Sequence, residues 1–212
     1  MAHGLFISFE GGDGSGKSTQ VKRLTSHLEQ SGRRIIVTRE PGGSEGAEAI
    51  RNLLVNGPAE KWDAITEALL MYASRADHVR QVIRPALERG DVVISDRFSD
   101  STMAYQGYAG ELGVDKVSQL DQLVLGGFKP HITFVLEVSE DVGLTRAKAR
   151  GDTESRFEQK GDTYQAAVKS GFLQIARNDP DRCVVIDANR TVDAIGLEIA
   201  TIVDDRFGPG AR

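Results

Sequence analysis

Cysteine and long apolar runs are nearly absent from this sequence. The one cysteine, Cys183, excludes a disulfide within the chain, and its place in the apolar stretch RCVVID predicts a buried core residue. A chain without disulfides suits a reducing compartment, so we expect a cytoplasmic protein. No apolar stretch reaches the length of about 18 residues that a membrane helix needs, and the first residues lack the pattern of a secretion signal. We therefore expect a protein that neither spans a membrane nor is exported.

Positive charge is also in short supply. Lys and Arg number 26 against 31 Asp and Glu, which gives a net charge of −5. Proteins that bind nucleic acids or anionic membranes broadly usually carry a basic face, so neither partner is expected, and any phosphate group must be bound locally. The 4 histidines are scattered without the spacing of metal ligands, so we expect no metal site made of protein ligands alone.

Short apolar runs rich in β-forming residues alternate with segments of helical length. Such alternation predicts a parallel sheet covered by helices on both faces, that is, one α/β domain over residues 1–212. The longest helical pattern covers 63–89, where Gly90 ends it. The five predicted strands are 5–10, 34–39, 91–96, 132–138 and 183–187.

The stretch EGGDGSGKST has the spacing of a phosphate-binding loop. Gly11, Gly16, Lys17 and Ser18 satisfy G-x-x-x-x-G-K-[ST], and the motif has its required context, with a strand before it and a helix at Lys17–Glu29 after it. Glycines let backbone N–H groups turn towards phosphates, the lysine reaches the outer phosphates, and the serine can ligate Mg²⁺. The sequence therefore predicts a site for a purine triphosphate.

A phosphate loop alone does not distinguish a kinase from a switch GTPase or a motor ATPase. The N-K-x-D tetrapeptide that reads guanine is absent, and the acidic composition does not favour an ATPase that remodels DNA. Arg39, Arg75 and Arg97 lie near predicted strand ends or on the long helix, where open α/β sheets bind ligands. Two anion sites that face each other indicate phosphoryl transfer, although each arginine alone is equally consistent with a solvated surface charge.

Four segments together resemble one family. FEGGDGSGKST, TREPGG, DRFSDSTMAYQG and LTRAKARGDTESRFEQ are similar, in this order and spacing, to the motifs of the bacterial thymidylate kinases. The similarity covers nearly the whole chain. It implies a P-loop nucleoside monophosphate kinase fold, a homodimer, and transfer of the γ-phosphoryl group of ATP to dTMP with Mg²⁺, giving dTDP and ADP.

The resemblance assigns the donor side of the site. It implies that Lys17 bridges the donor phosphates, that Ser18 lies near the metal, and that Asp96 is the acid near Mg²⁺ and its waters. Lys17, Asp96, Arg97 and Arg150 are the expected catalytic residues. The expected ATP-binding residues are Gly11, Gly12, Asp13, Gly14, Ser15, Gly16, Lys17, Ser18, Thr19, Arg146 and Arg156.

The resemblance also assigns the acceptor side. It implies that Arg97 binds the acceptor phosphate and that Arg75 lies against the edge of thymine. Ser101 and Thr102 fall where a polar group reads the base, and the residues AYQG line the sugar. The expected acceptor residues are Asp13, Arg39, Met71, Arg75, Arg97, Ser101, Thr102, Tyr105 and Gln106.

Asp13 puts a negative charge in a loop that binds anions. By resemblance, this carboxylate approaches the 3′-hydroxyl of the deoxyribose of the acceptor. A carboxylate accepts a strong hydrogen bond from a hydroxyl and repels a misplaced phosphate. The alternative is that Asp13 only tightens a turn through its own backbone.

An arginine-rich segment at 144–160 is the predicted lid. Its basic residues are Arg146, Lys148, Arg150, Arg156 and Lys160. In this family the arginine that stabilises the transition state comes from the loop or from the lid, and the loop positions 13–15 carry no basic residue. We expect Arg150 in this role, with Arg156 second, and an exposed charged helix is the alternative.

Two positions depart from the family pattern. Met71 stands where the family usually has a phenylalanine that stacks on thymine, while Tyr72 points about 100° away on a helix. Phe172 stands where a tyrosine is common near the acceptor sugar. Two rivals stay open. The first is a kinase of another small acceptor, such as dUMP or a deoxynucleoside, and the second is an ATP-dependent switch protein. The helices 63–89 and Val114–Leu125 are candidates for the dimer surface.

Overall fold

A five-stranded parallel sheet forms the centre of the molecule. The computed structural model describes residues 4–30, 32–139, 142–143, 146, 157 and 160–208. The strands are β1 (Leu5–Glu10), β2 (Ile35–Arg39), β3 (Val92–Asp96), β4 (Ile132–Glu137) and β5 (Cys183–Asp187). They lie in the order β2, β3, β1, β4, β5. All four neighbouring pairs are parallel.

Helices cover both faces of this sheet, because successive side chains of a strand point to opposite sides. Phe9 packs with α1 (Lys17–Glu29) and with α8 (Val192–Phe207) on one face. Phe6, three residues before Phe9 in β1, points to the other face of the sheet and packs against Ile83 there. Every residue of β1 is buried, as expected for the central strand of such a sheet.

The predicted long helix is one run with a wider turn inside it. It consists of α3 (Ala64–His78), a π-helical turn at Val79–Ile83, and α4 (Arg84–Glu88). Asp63 caps the start of α3 by accepting a hydrogen bond from the N–H of Thr66 at 2.7 Å. Gly90, with a φ of 83°, ends the run.

The remaining helices belong to the connections between consecutive strands. α2 (Glu45–Val55) packs on α3, and α5 (Ser99–Thr102) continues into a second π-helical turn at Met103–Tyr108. These elements are followed by α6 (Val114–Leu125) and α7 (Asp162–Asn178).

The strands agree with the sequence prediction to within one residue at each end. The register sets Asp96 of β3 level with Phe9 of β1 and with Arg39 of β2, so three strand ends meet at one edge. Cys183 is buried in β5, as predicted. Among the described residues, no helix is both long and apolar enough to cross a bilayer.

Candidate active site

Glycines shape the loop between β1 and α1. Gly11, Gly14 and Gly16 have φ values of 132°, 74° and 93°, a region in which a side chain is strained. Gly16 is also the N-cap of α1, and it supplies no side chain to the free N–H groups of the first turn. The loop therefore presents backbone donors at a helix N-terminus, which favours an anion.

Lys17 lies folded against this loop. Its Nζ donates hydrogen bonds to the carbonyl oxygens of Gly11 at 3.1 Å and Gly12 at 2.9 Å. The ammonium is buried, and burial, followed by the nearby charge of Arg97, lowers its pKa from 10.5 to about 8. A buried cation on the loop is ready to contact the phosphates that the loop binds.

A hydroxyl and a carboxylate meet beside the loop. The Oγ of Ser18 donates a hydrogen bond to Oδ2 of Asp96 at 3.0 Å. Oxygen atoms of this kind are the ligands that Mg²⁺ prefers. Among the residues that the structure describes, no cluster of three or more His, Cys, Asp and Glu could hold a metal by itself.

Arg97 adopts a backbone conformation that is rare outside glycine, with a φ of 72°. Its N–H donates to the carbonyl of Phe9 at 2.9 Å. Its guanidinium donates to Gly11 O and Ser101 Oγ, both at 3.1 Å, and to Oδ1 of Asp13 at 2.9 Å. The guanidinium carbon also lies 5.2 Å from the ring centre of Tyr105. Arg97 therefore connects the phosphate loop to the segment after β3.

The carboxyl group of Glu10 binds the start of the segment after β3. Its carboxyl accepts from the N–H of Phe98 at 2.7 Å and from the hydroxyl of Ser101 at 2.5 Å. The side chain is fully buried, and burial, followed by the charge of Asp100, raises its pKa from 4.5 to about 8.

Arg75 of α3 is almost completely buried, at 2% exposure. Its Nε donates to Oε2 of Glu40 at 2.7 Å, and its Nη2 donates to Phe98 O at 3.1 Å and Thr102 Oγ1 at 3.0 Å. Its Nη1 has no hydrogen-bond partner within the described part of the chain. A buried donor without a partner is costly, so this nitrogen marks a place for a ligand acceptor.

Except for Glu10, these side chains line one cavity of about 380 Å³ at the carboxyl ends of the strands. Ligands of open α/β sheets bind at this edge. The lining comprises Asp13, Gly14, Gly16, Lys17, Ser18, Arg39, Glu40, Pro41, Arg51, Val55, Met71, Arg75, Asp96, Arg97, Phe98, Ser101, Thr102, Tyr105, Gln106 and Phe157.

The sequence model of one family, described as thymidylate kinase, matches residues 9–199. The chain belongs to the thymidylate kinase family. The fold is accordingly the P-loop nucleoside monophosphate kinase fold that the motifs predicted.

Individual thymidylate kinases match the chain over nearly its full length. The thymidylate kinase of Caulobacter vibrioides is 54% identical over 208 residues, which are 98% of this chain and 100% of that protein. That of Dinoroseobacter shibae is 50% identical and covers 92% of this chain and 94% of its own length. The crystal structure of the thymidylate kinase from Ehrlichia chaffeensis superimposes with a TM-score of 0.77 at 34% identity, covering 95% of this chain and 99% of that chain.

Most residues expected from the thymidylate kinase motifs line the cavity, including all nine expected on the acceptor side. Gly11, Gly12, Ser15 and Thr19 lie in the loop and the first turn of α1, outside the lining. Arg146 is also outside it, and its Nη1 donates to the carbonyl of Ala188 at 3.0 Å. Arg150 and Arg156 lie outside the described residues.

Both expected base-reading hydroxyls are engaged with the protein. Ser101 contacts Glu10 and Arg97, and Thr102 accepts from Arg75. In this arrangement they set the positions of charged groups, while their side chains still line the cavity.

The two departures from the thymidylate kinase pattern differ in position. Met71 is half-buried and lines the cavity, whereas the hydroxyl of Tyr72 donates to Asp121 Oδ1 at 3.0 Å on the other side of α3. Phe172 is buried against the ring of Tyr105, with 6.1 Å between ring centres. Phe172 therefore acts as a packing residue behind Tyr105, which lines the cavity.

Several lining residues had no prediction from the sequence. Glu40 and Pro41 stand in TREPGG directly after Arg39, so this motif indicates them although neither residue is basic. Arg51, whose Nη1 donates to the carbonyl of Pro41 at 2.6 Å, stands in no motif. Glu10 lies outside the lining, and although it stands in FEGGDGSGKST, its role depends on the tertiary contact with Phe98, which the motif does not reveal.

Proposed function

We propose that the chain transfers the γ-phosphoryl group of ATP to dTMP, giving dTDP and ADP, as a step of dTTP biosynthesis. The observation that carries the proposal is the composition of the cavity described above. Its lining combines Lys17 and the phosphate loop with Arg97 from the segment after β3 and with Arg75 and Met71 from α3. Such a lining offers anion sites for two phosphorylated molecules and a polar edge with an apolar surface for a base.

The donor would bind along the loop, with Lys17 moving from the loop carbonyls to the outer phosphates. The Ser18 hydroxyl and the Asp96 carboxylate, 3.0 Å apart, fit a Mg²⁺ ion that arrives with ATP. When bound there, the ion would neutralise phosphate charge. We therefore assign Lys17 to the donor phosphates and Ser18 and Asp96 to the metal side.

The acceptor phosphate would bind to Arg97, with Arg39 and Arg51 as further cations of the same lining. Arginine matches phosphate oxygens well because its donors form a rigid fork. The guanidinium of Arg97 is already fixed by Asp13, Gly11 and Ser101, so little order is lost when the phosphate binds.

The thymine base would lie between the wall of α3 and the segment after β3. The unpartnered Nη1 of Arg75 and the unpartnered Oε1 of Gln106 are buried polar atoms that a base edge would satisfy, counting partners among the described residues only. Met71 offers the adjacent apolar surface, and Asp13 and Tyr105 would face the sugar.

The chemistry requires positioned cations more than proton transfer. The bond between the γ-phosphorus and its bridging oxygen breaks as an oxygen of the acceptor phosphate bonds to the same phosphorus. That oxygen carries no proton near neutral pH, since the second pKa of a phosphate monoester is about 6. Charge on the transferring group is stabilised by Lys17, Arg97 and a lid arginine, for which we propose Arg150.

The test is to identify the product together with its stoichiometry. Incubation with ATP and dTMP should yield one dTDP for each ADP, resolved by phosphorus NMR, and no ADP should form at a comparable rate without dTMP. An equal rate of ADP release with and without dTMP would favour an ATP-dependent switch protein instead.

We also propose that the enzyme acts in the cytoplasm as a homodimer that contacts its partner through α3 and α6. Ile65 and Leu69, one turn apart on α3, are 40% and 50% exposed, and Leu123 of α6 is 81% exposed. Exposed leucines on neighbouring helices are typical of an interface. Leu69→Glu should shift the protein to monomers in sedimentation, whereas Leu197→Glu, on the opposite face of the sheet, should not.

A further inference from the structure

A chain of four buried or half-buried side chains connects β2 to the cavity. The ring of His78 contacts Thr38 Oγ1 through Nε2 at 2.7 Å and Glu40 Oε1 through Nδ1 at 2.9 Å. The other oxygen of Glu40 accepts from Nε of Arg75 at 2.7 Å. His78 is completely buried and does not line the cavity.

The contact with His78 fixes the position of Glu40. A carboxylate that accepts from Nε of an arginine meets Nη2, not Nη1, with its second oxygen. Here Oε1 of Glu40 accepts from His78, and Nη2 of Arg75 donates instead to Phe98 and Thr102. The guanidinium is thus held by Glu40 on one side and by Phe98 and Thr102 on the other, and its Nη1 has no partner among the described residues.

His78 itself has little freedom to move. A carboxylate only accepts hydrogen bonds, so Nδ1 carries the proton, and in the neutral ring Nε2 accepts from the Thr38 hydroxyl. Gly43, with a φ of 92°, packs against the ring, and a side chain at that position would overlap it. The ring is therefore fixed from β2, from Glu40 and from the loop after it.

We propose that His78 is a positioning residue for acceptor recognition, acting through Glu40 to hold the guanidinium of Arg75 in the position where its Nη1 meets the base. The inference rests on the proposed function, since it assumes that the base of dTMP takes this nitrogen. His78 touches neither substrate, so its removal should weaken acceptor binding and leave the phosphoryl transfer step largely intact.

A matched pair of substitutions separates the two ends of the ring. In His78→Asn the side-chain amide lies near the former Nδ1 and can still donate to Glu40. In His78→Gln the amide lies near the former Nε2, so it keeps the contact with Thr38 and loses Glu40. His78→Gln should raise the KM for dTMP about tenfold, and His78→Asn should stay within about threefold of wild type, as expected for one hydrogen bond to a charged group.

The kcat and the KM for ATP are the internal controls, and both should change by less than about twofold in either variant. A second control is His131→Gln, because His131 also binds through Nδ1, accepting from the N–H of Phe6 at 2.9 Å, but lies just before β4 at the opposite edge of the sheet. This variant should leave the KM for dTMP unchanged.

A double-mutant cycle tests whether His78 acts through Arg75. In an Arg75→Ala background, His78→Gln should add nearly nothing to the KM for dTMP, because coupled residues are not additive. Additive effects would overturn the proposal, and so would a His78→Gln enzyme whose KM for dTMP is normal or rises together with that for ATP. If His78→Gln is unfolded at the assay temperature, Thr38→Val takes its place, and a selective rise in the KM for dTMP is then required.

Wild-type turnover of dTMP is measured in the same assays. An active wild type with an unchanged His78→Gln variant refutes the role of His78 alone. A wild type that does not phosphorylate dTMP refutes the proposed function and this inference with it.

Discussion

Arg97 combines an uncommon backbone conformation with the densest set of contacts in the site. A non-glycine residue in the left-handed region costs of the order of 1–3 kcal/mol and persists only where its surroundings hold it. Here Phe9 holds the backbone, and Asp13, Gly11 and Ser101 hold the guanidinium. The motif DRFSDS predicts where Arg97 stands in the chain, but its conformation depends on β1 and could not be predicted from local sequence.

Asp13 pairs with Arg97 at 2.9 Å, and in the proposed function it also accepts a hydrogen bond from the sugar of the acceptor. We predict that wild type prefers dTMP over its 3′-deoxy analogue by about 10- to 100-fold in kcat/KM, the range for a hydrogen bond to a charged group. Asp13→Ala should largely erase this ratio. Loss of the pair with Arg97 would affect both acceptors equally, so the ratio reports the sugar contact alone. An unchanged ratio in the variant would leave Asp13 as a partner of Arg97 and a turn residue.

Met71 lines the cavity one helical turn before Arg75, on the same face of α3. An aromatic ring in its place would stack on thymine, with a gain of about 0.5–1.5 kcal/mol. Met71→Phe should therefore lower the KM for dTMP by about twofold to tenfold, measured by steady-state kinetics. An increased KM would indicate an overfilled cavity and would assign the stacking wall to another residue, such as Phe98.

Glu10 makes the stability of the protein depend on pH. Its pKa is raised from 4.5 to about 8 in the folded chain, so the folded state holds this proton more tightly than the unfolded state does. The associated stability is complete below the unfolded value and is lost as pH rises through the folded value, with a slope of up to about 1.4 kcal/mol per pH unit.

Glu10→Gln cannot ionise and should lack this dependence. Denaturant unfolding between about pH 5 and about pH 8 should show the free energy of unfolding of wild type falling relative to that of the variant. Parallel curves for the two proteins would contradict the raised pKa.

For the helices, sequence periodicity predicted where each helix lies better than its internal geometry. The helix pattern of 63–89 agrees with α3, the π-helical turn and α4, and Val114–Leu125 agrees with α6 to the residue. The π-helical turns at Val79–Ile83 and Met103–Tyr108 had no signal, because one extra residue in a turn hardly alters an apolar stripe. Met71 and Arg75, four residues apart on α3, both line the cavity.

The lid is the element on which the proposed chemistry depends most. Arg150→Ala should lower kcat by about 10²- to 10³-fold with little change in the KM for dTMP, since a positioned transition-state donor contributes roughly 3–4 kcal/mol. Single-turnover kinetics with saturating ATP would measure the effect on the transfer step. A variant that retains more than half of the wild-type kcat would transfer the role to Arg156.

At the scale of the whole molecule, strand order brings the site together. The order β2, β3, β1, β4, β5 sets the ends of β1, β2 and β3 side by side, so the loop, Arg39 and Arg97 share one cavity. Alternation of strands and helices predicted a parallel sheet, but not which strands are neighbours. Which strands are adjacent depends on contacts between residues far apart in sequence, such as Glu10 with Phe98. Local sequence patterns do not reveal such contacts.

The ratio of kcat/KM values across a panel of acceptors tests dTMP as the acceptor most directly. A coupled assay of ADP release would compare dTMP with dUMP, dCMP, dGMP and thymidine at fixed ATP and Mg²⁺. We predict the highest kcat/KM for dTMP, since only this acceptor offers both a phosphate to Arg97 and the thymine base to Arg75 and Met71. A higher value for any other acceptor, or equal ADP release with none, would contradict it.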